Sequence, residues 1–425
     1  MKLIRTKTRG AEEVLASLEQ RGGASLDTVA PAVRRIVNAV RRQGDRALLR
    51  FAAEFDGLPG LEALRVSPEQ MATAWRATSP ELRDALSTAA RQIRAFAKKQ
   101  RPRSWQAKPV PGLTTGQLVR PLGAVGCYVP SGRHPLPSTL LMTAIPAQVA
   151  GVERIVAVSP RPARETLAAA HLLGITEFYR VGGAHAIAAL AYGTQSIARV
   201  DKIAGPGNLY VTAAKRAVAF DCAIDMLAGP TEIVVTSEQG GAEGIASDLV
   251  AQAEHDPEAL AIFITTRLDL ARAVIAETKL RARSNPIAKQ SLACNGLVIV
   301  ATSIKEAHAI TNRIAPEHLT VDTAADLDWV QNAGSVFVGP WSAQPMGDYI
   351  SGPNHTLPTG ALARVRGGLS VNDFVKLITV QEYNAAALAS LGPKAALLAE
   401  AEGLVGHAEA IGVRLRAAKK GGRRA

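Results

Sequence analysis

Residues 231–266, TEIVVTSEQGGAEGIASDLVAQAEHDPEALAIFITT, decide the reading of the fold. An apolar run, EIVVTSE, ends in a Gly-Gly turn, gives way to an Ala-rich helical stretch, and returns as a second apolar run, LAIFITT. Strand, helix and strand in that order form a βαβ unit. Runs that are apolar on successive residues, not alternate ones, fit strands of a parallel sheet covered on both faces. Outward from this unit the same texture holds from about Gly123: AVGCYVP, RIVAVSP, EFYRVGG, DKIAGPG, GLVIVAT, HLTVDT and SVFVGP are further strand-like runs. Most are separated by Ala-rich stretches long enough for a helix. These strands exceed one compact sheet, so two α/β domains are expected. Residues 28–55 and 80–99 place apolar side chains at three- and four-residue spacing and read as helices, and from about Asn372 the chain is expected to return to helix as an appendage.

Composition narrows the class. The 425 residues are 47% hydrophobic and 20% charged, ordinary for a globular protein and unlike a disordered one. The first ten residues are basic but no apolar run of signal-peptide length follows, and no apolar stretch is long enough to span a bilayer, so a cytoplasmic protein is expected. Cys127, Cys222 and Cys294 stand far apart without a Cys-x-x-Cys pair and are expected to be buried free thiols. The net charge is +12, but Arg414, Arg416, Lys419, Lys420, Arg423 and Arg424 supply six of those charges. No aromatic side chains interleave with them, so a frayed, solvated terminus is expected and nucleic acid is not an expected partner.

Four pairs of an acid or amide with a histidine could do chemistry. Gln252 and His255, three apart in SDLVAQAEH, share a helix face and form half of a metal site. In RIAPEHLTVDT, Pro316 pushes Ala315 out of helix, which leaves Glu317 and His318 in a turn before a strand, placed to divide proton transfers. The loop MGDYISGPNHTLPT is rich in glycine and proline and carries Asp348, Asn354 and His355. Glu402 and His407 lie five apart in AEAEGLVGHAEAIGVRL, where Gly403 and Gly406 suggest a helix break. Taken singly, each also reads as a polar surface stripe or a chance adjacency. Two more segments read as cofactor-facing: the strand-to-helix turn Gly205-Pro206-Gly207-Asn208, and the loop after Tyr128 in AVGCYVPSGRHPLPST.

In order and spacing these segments, together with VGGA, DMLAGPTE, GSVFVG and GLSV, resemble the histidinol dehydrogenase family from about Gly123 to His407. The resemblance implies two Rossmann-like parallel-sheet domains, a helical N-terminal region, and a C-terminal helical tail exchanged in a homodimer. The implied limits are an N-terminal arm over 1–25, a first α/β domain over 26–127 and 232–370, a second, NAD-side domain over 128–231, and the tail over 371–425. One Zn2+ per subunit would be held by Gln252, His255, Asp348 and His407, the last from the other subunit. Glu317 and His318 would be the acid–base residues. Substrate contacts map to Thr231, His355 and Glu402, with help from His318 and the metal ligands, and NAD+ contacts to Tyr128, His185 and Asn208. Three positions depart from the family's pattern: Ser131 stands where glycine is common, His185 where glutamine is, and His134 where histidine is not.

The implied activity is oxidation of L-histidinol to L-histidine through the aldehyde, with two hydride transfers to NAD+. His318, expected as a neutral imidazole near pH 7, would take the hydroxyl proton, and Glu317 would activate water. Competing readings are a paralogue acting on another small polar alcohol, a basic nucleic-acid-binding protein with a degenerate core, and a zinc hydrolase. Four protein ligands leave a hydrolase little room for an activated water.

Overall fold

A computed structural model describes residues 1–8, 10–21, 26–131 and 135–421; His134, Arg423 and Arg424 lie outside them. The chain forms two compact units, residues 1–100 with 122–374 and residues 101–121 with 375–425. Among the described residues the strands run, in chain order, β1 (Lys2–Arg5), β2 (Arg65–Val66), β3 (Trp105–Val110), β4 (Leu113–Pro121), β5 (Ala124–Tyr128), β6 (Arg154–Val158), β7 (Glu177–Tyr179) and β8 (Lys202–Ala204). They continue as β9 (Ala223–Ile224), β10 (Glu232–Thr236), β11 (Leu260–Thr265), β12 (Gly296–Val300), β13 (His318–Val321), β14 (Ser335–Val338) and β15 (Val375–Tyr383).

The first unit holds two six-stranded sheets, ordered β1-β12-β11-β10-β13-β14 and β2-β7-β6-β5-β8-β9. All pairs are parallel except β2 with β7. The unbroken apolar runs follow from burial on both faces. Ile233, Val235, Ala261, Phe263 and Val298 pack on one side of the first sheet, and Val234, Ile262, Ile264, Ile299 and Leu319 on the other. The helix Pro137–Ala150 is buried almost all round, which its continuous apolar sequence permits.

Each of the nine strand-like runs contains an observed strand. The domain limits differ from the expectation. Residues 2–5 are not part of a helical arm but pair with β12, where Leu3 and Ile4 add an edge strand. Residues 26–127 do not join the first sheet. The helix Leu26–Gln43 packs on the helices Gly183–Tyr192 and Leu209–Val218, β2 pairs with β7, and β5 lies at the centre of the second sheet. Nor is the tail all helix. The second unit is a three-stranded antiparallel sheet, β15-β4-β3, with the helices Ala385–Ala401 and Val405–Gly421. The helical expectation missed β15 because VKLITVQEY is mostly exposed and was read by its neighbours, although its β-branched residues suit a strand. Cys127 and Cys222 are buried free thiols, whereas Cys294 is exposed near the end of its helix. The terminus is helical to Gly421, with an Arg416–Glu409 ion pair, and is not frayed over its described length.

Candidate active site

The acid–base pair is placed by strand register. Ala315, at φ 50°, ends the helix Ile304–Ile314 in the left-handed region, so the chain turns through Pro316 and enters β13 at His318. β13 lies beside β10, with His318 opposite Ile233. Glu317 therefore comes to rest against Thr231 and Glu232. Its Oε2 accepts hydrogen bonds from the Thr231 hydroxyl at 2.6 Å and the Glu232 N–H at 2.8 Å, while Oε1 receives none from the described residues. One oxygen anchors the carboxylate and the other is left for a water.

His318 is 3% exposed. Its Nδ1 lies 3.0 Å from the Glu232 carbonyl oxygen, an acceptor, which makes Nδ1 the donor and turns Nε2 inward. Nε2 is buried without a hydrogen bond, 3.5 Å from Asp348 Oδ1. Burial opposes a charge on the ring, but the Glu317 and Asp348 carboxylates outweigh it and raise the pKa to about 10. Asp348 is held below the usual carboxylate range. Its burial acts upward, and is outweighed by the nearby His318 ring and by the charges of His355 and His255.

Gln252 is fully buried in the helix Ala242–Ala253. Its amide nitrogen donates to the Thr231 hydroxyl, which in turn donates to Glu317, so Gln252, Thr231 and Glu317 form one chain. The amide oxygen is buried with no partner among the described residues. His255 is not on the helix face. It stands past the helix end, exposed, with its N–H on the Gln252 carbonyl oxygen.

The loop residues divide. His355 Nδ1 lies 2.8 Å from the Asp348 carbonyl oxygen, and burial lowers the ring's pKa. Asn354 bolts the loop instead: its amide donates to the Met142 carbonyl and accepts from the Thr356 N–H. Glu402 and His407 belong to the second unit. Glu402 caps one helix, Gly403 at φ 75° turns the chain, and His407 lies in the first turn of the next helix; both side chains are exposed.

Three supporting residues escaped the sequence reading. Glu232 is buried and bound by Arg21 through two bonds of 2.6–2.7 Å and by the Gly360 N–H, while its carbonyl orients His318. Gln344, 1% exposed, donates to Asp348 Oδ2. Asp248, one helical turn before Gln252, faces the Gln344 backbone, and burial pushes its carboxyl up to about 6. Glu232 sat inside an apolar run and read as a strand residue; only its burial reveals it.

In the second sheet β5 lies between β6 and β8, the switch point of a doubly wound sheet, and ligands in such folds bind at the carboxyl ends there. Tyr128 ends β5, buried, its hydroxyl accepting from the Gly183 N–H at 3.2 Å. Asn208 is exposed and caps the helix Leu209–Val218. His185 is 2% exposed, and its Nε2 lies 2.8 Å from Asp56 Oδ2, which also accepts the Gly182 N–H. Ser131 accepts the Arg161 N–H. A cavity of about 390 Å³, lined in part by Asp56, Pro160, Arg161 and Arg180, opens at the same sheet edge.

The sequence model of the histidinol dehydrogenase family matches residues 19–415. The chain belongs to this family. It is an oxidoreductase. The histidinol dehydrogenase of Geobacillus kaustophilus is 47% identical over 90% of this chain and 93% of its own length. That of Prochlorococcus marinus is 42% identical over 97% and 96%. A crystal structure of the enzyme from Elizabethkingia anophelis matches with a TM-score of 0.92 at 35% identity, covering 98% of each chain.

Proposed function

We propose that the chain is a zinc-dependent histidinol dehydrogenase of the cytoplasm, oxidising L-histidinol through L-histidinaldehyde to L-histidine with reduction of two NAD+. The observation that carries this reading is the buried Gln252–Thr231–Glu317 chain beside His318 and Asp348, which couples donor atoms to an acid–base pair.

The metal set is Gln252, His255 and Asp348, with His407 from a second copy of the chain. Among the described residues no three His, Cys, Asp or Glu side chains gather to hold a metal, so this set needs the Gln252 amide and a donor from the second copy. The buried, partnerless Gln252 oxygen fits an oxygen donor of such a site. Zn2+ held by these residues would supply a Lewis-acidic centre that helps orient the substrate's nitrogen donors. A second copy also answers the exposed Leu397, Leu398 and Val405 of the second unit, apolar surface of the kind a partner covers.

His318 takes the hydroxyl proton as the carbinol hydride leaves for the nicotinamide. Glu317, through Oε1, takes a proton from water as its oxygen bonds to the aldehyde carbon. His318 returns its first proton to the aldehyde oxygen as the hydrate forms, and then accepts the hydroxyl proton of the hydrate as the second hydride leaves for a second NAD+. Thr231 and His355, with Glu402 of the second copy, hold the substrate's polar groups, and Tyr128, Asn208 and His185 the cofactor.

The test is the NADH formed per histidinol. Two are expected, abolished by a chelator and restored by zinc; one per substrate, or indifference to chelation, would sink the reading. Glu317→Gln should cut aldehyde oxidation by about 10²-fold or more and largely spare the alcohol step; equal loss of both steps contradicts the division of labour. Mixing inactive His255 and His407 variants should restore activity if sites are shared between copies.

A further inference from the structure

Lys215 and Asp225 are 2% and 4% exposed and form an ion pair beneath the turn that leaves β8. A buried ion pair gains little stability over apolar side chains of the same volume, so its use lies in what its atoms hold. Every hydrogen bond that these two side chains make with the described residues goes to the other or to backbone of this turn and the next one. The Lys215 ammonium donates to the Gly205 carbonyl at 3.0 Å, and Asp225 Oδ2 accepts the Gly205 N–H at 2.8 Å. Asp225 Oδ1 takes the Lys215 ammonium and the Met226 N–H. The pair thus grips Gly205 by both its backbone groups, where β8 has ended at Ala204 and the sheet can no longer do so.

Gly205 needs such a grip. Its φ is 118°, a region closed to other residues, and a Cβ there would overlap the Tyr128 carbonyl oxygen. The turn is pressed onto the end of β5. Asn208 follows three residues later as the cap of the helix that carries Lys215. One helix therefore presents Asn208 at its start and reaches back with Lys215 to fasten the turn against Tyr128. From the other side, Arg366 donates to the Asp225 carbonyl and pairs with Asp373 at 3.1 Å, which also faces Lys202.

We propose that Lys215 and Asp225 are positioning residues for the cofactor, fixing the spacing between Tyr128 and Asn208 without touching the reacting atoms. This rests on the reading that NAD+ lies against those two residues. Without the pair the turn would have to be ordered on binding, which costs affinity for the cofactor and not for the substrate.

The test compares the full-length holoenzyme with Lys215→Met/Asp225→Leu, which removes both charges together, and with Asp225→Asn, which keeps an oxygen for the Gly205 N–H. The KM and Kd for NAD+ should rise about tenfold in the double variant and about threefold in Asp225→Asn, through lost preorganisation. The histidinol KM and zinc content should stay within about twofold. A folded double variant with unchanged NAD+ affinity overturns the proposal, as does an equal rise in both KM values, which marks general loosening. If the double variant does not fold, Asp225→Asn decides, and an unchanged NAD+ KM overturns it. Wild-type enzyme that binds no NAD+ would instead remove the functional reading itself.

Discussion

The two sheets of the first unit share one plan and use opposite edges. In each, the central strand (β5 or β10) is followed outward on one side by the next two strands and then by a strand from the N-terminal part of the chain. Two later strands complete the other side. The second sheet carries Tyr128 and the Gly205–Asn208 turn at its carboxyl edge. The first sheet carries Thr231, Glu232, Glu317 and His318 at its amino edge, where the chain enters β10 and β13.

The carboxyl edge of the first sheet is already filled by side chains of the protein. Asp322, just past β13, accepts the Ser237 hydroxyl and the N–H groups of Glu238 and Gln239 at 2.7 and 3.1 Å. Glu238 takes the Thr266 N–H and hydroxyl, each at 2.5 Å. A carboxylate of the chain itself sits on the backbone amides where such a fold would otherwise receive a phosphate. Shared topology therefore does not set where a ligand binds; the groups that fill each edge do.

That contrast can be broken at either edge. The largest effect is expected from His318→Gln, which should lower kcat by about 10²–10⁴-fold while the NAD+ Kd stays unchanged in a binding titration. A matching loss of cofactor affinity would mean that the edges are not separate. Asp322→Ala should leave buried N–H groups unpaired at a cost of about 1–3 kcal/mol, seen as a lower Tm, with kcat/KM intact. Phosphate should restore more of that Tm than it adds to wild type; lost activity instead would place Asp322 in the reaction.

The smallest effect concerns the support behind the amino edge. Burial raises the Asp248 carboxyl to about 6, above its value in the unfolded chain, so the folded state holds the proton more tightly. Its contribution to stability is present below about pH 4, the range of an unfolded aspartate, and is lost as pH rises through about 6. Asp248→Asn should therefore be more stable than wild type by about 1–2 kcal/mol at pH 7, after allowance for partial exposure. The difference should vanish near pH 4 in paired denaturation curves. A gap independent of pH would remove the titration as its cause.

Local chemistry made much of this legible in advance. Nine strands were readable because burial on both faces demands unbroken apolar runs, and the break at Gly403 because that glycine takes φ 75°. The turn at Ala315 was readable from Pro316. Family resemblance, not spacing, joined Gln252, Glu317 and Asp348 into one site. Edge strands β1 and β2 were not readable, since strands of two to four residues carry too little pattern to compete with the helices around them.

What the sequence alone determined was the type of the main elements and the residue chemistry available to them, because propensity and burial pattern act over a few neighbouring residues. What only the tertiary structure decided was which groups meet. The Glu232 carbonyl orients His318 across 86 positions, Asp56 claims His185 across 129, and Lys215 closes on Asp225 beneath a glycine turn. Such contacts depend on strand register and on where buried polar groups find partners, and no local pattern encodes a partner that distant folding supplies.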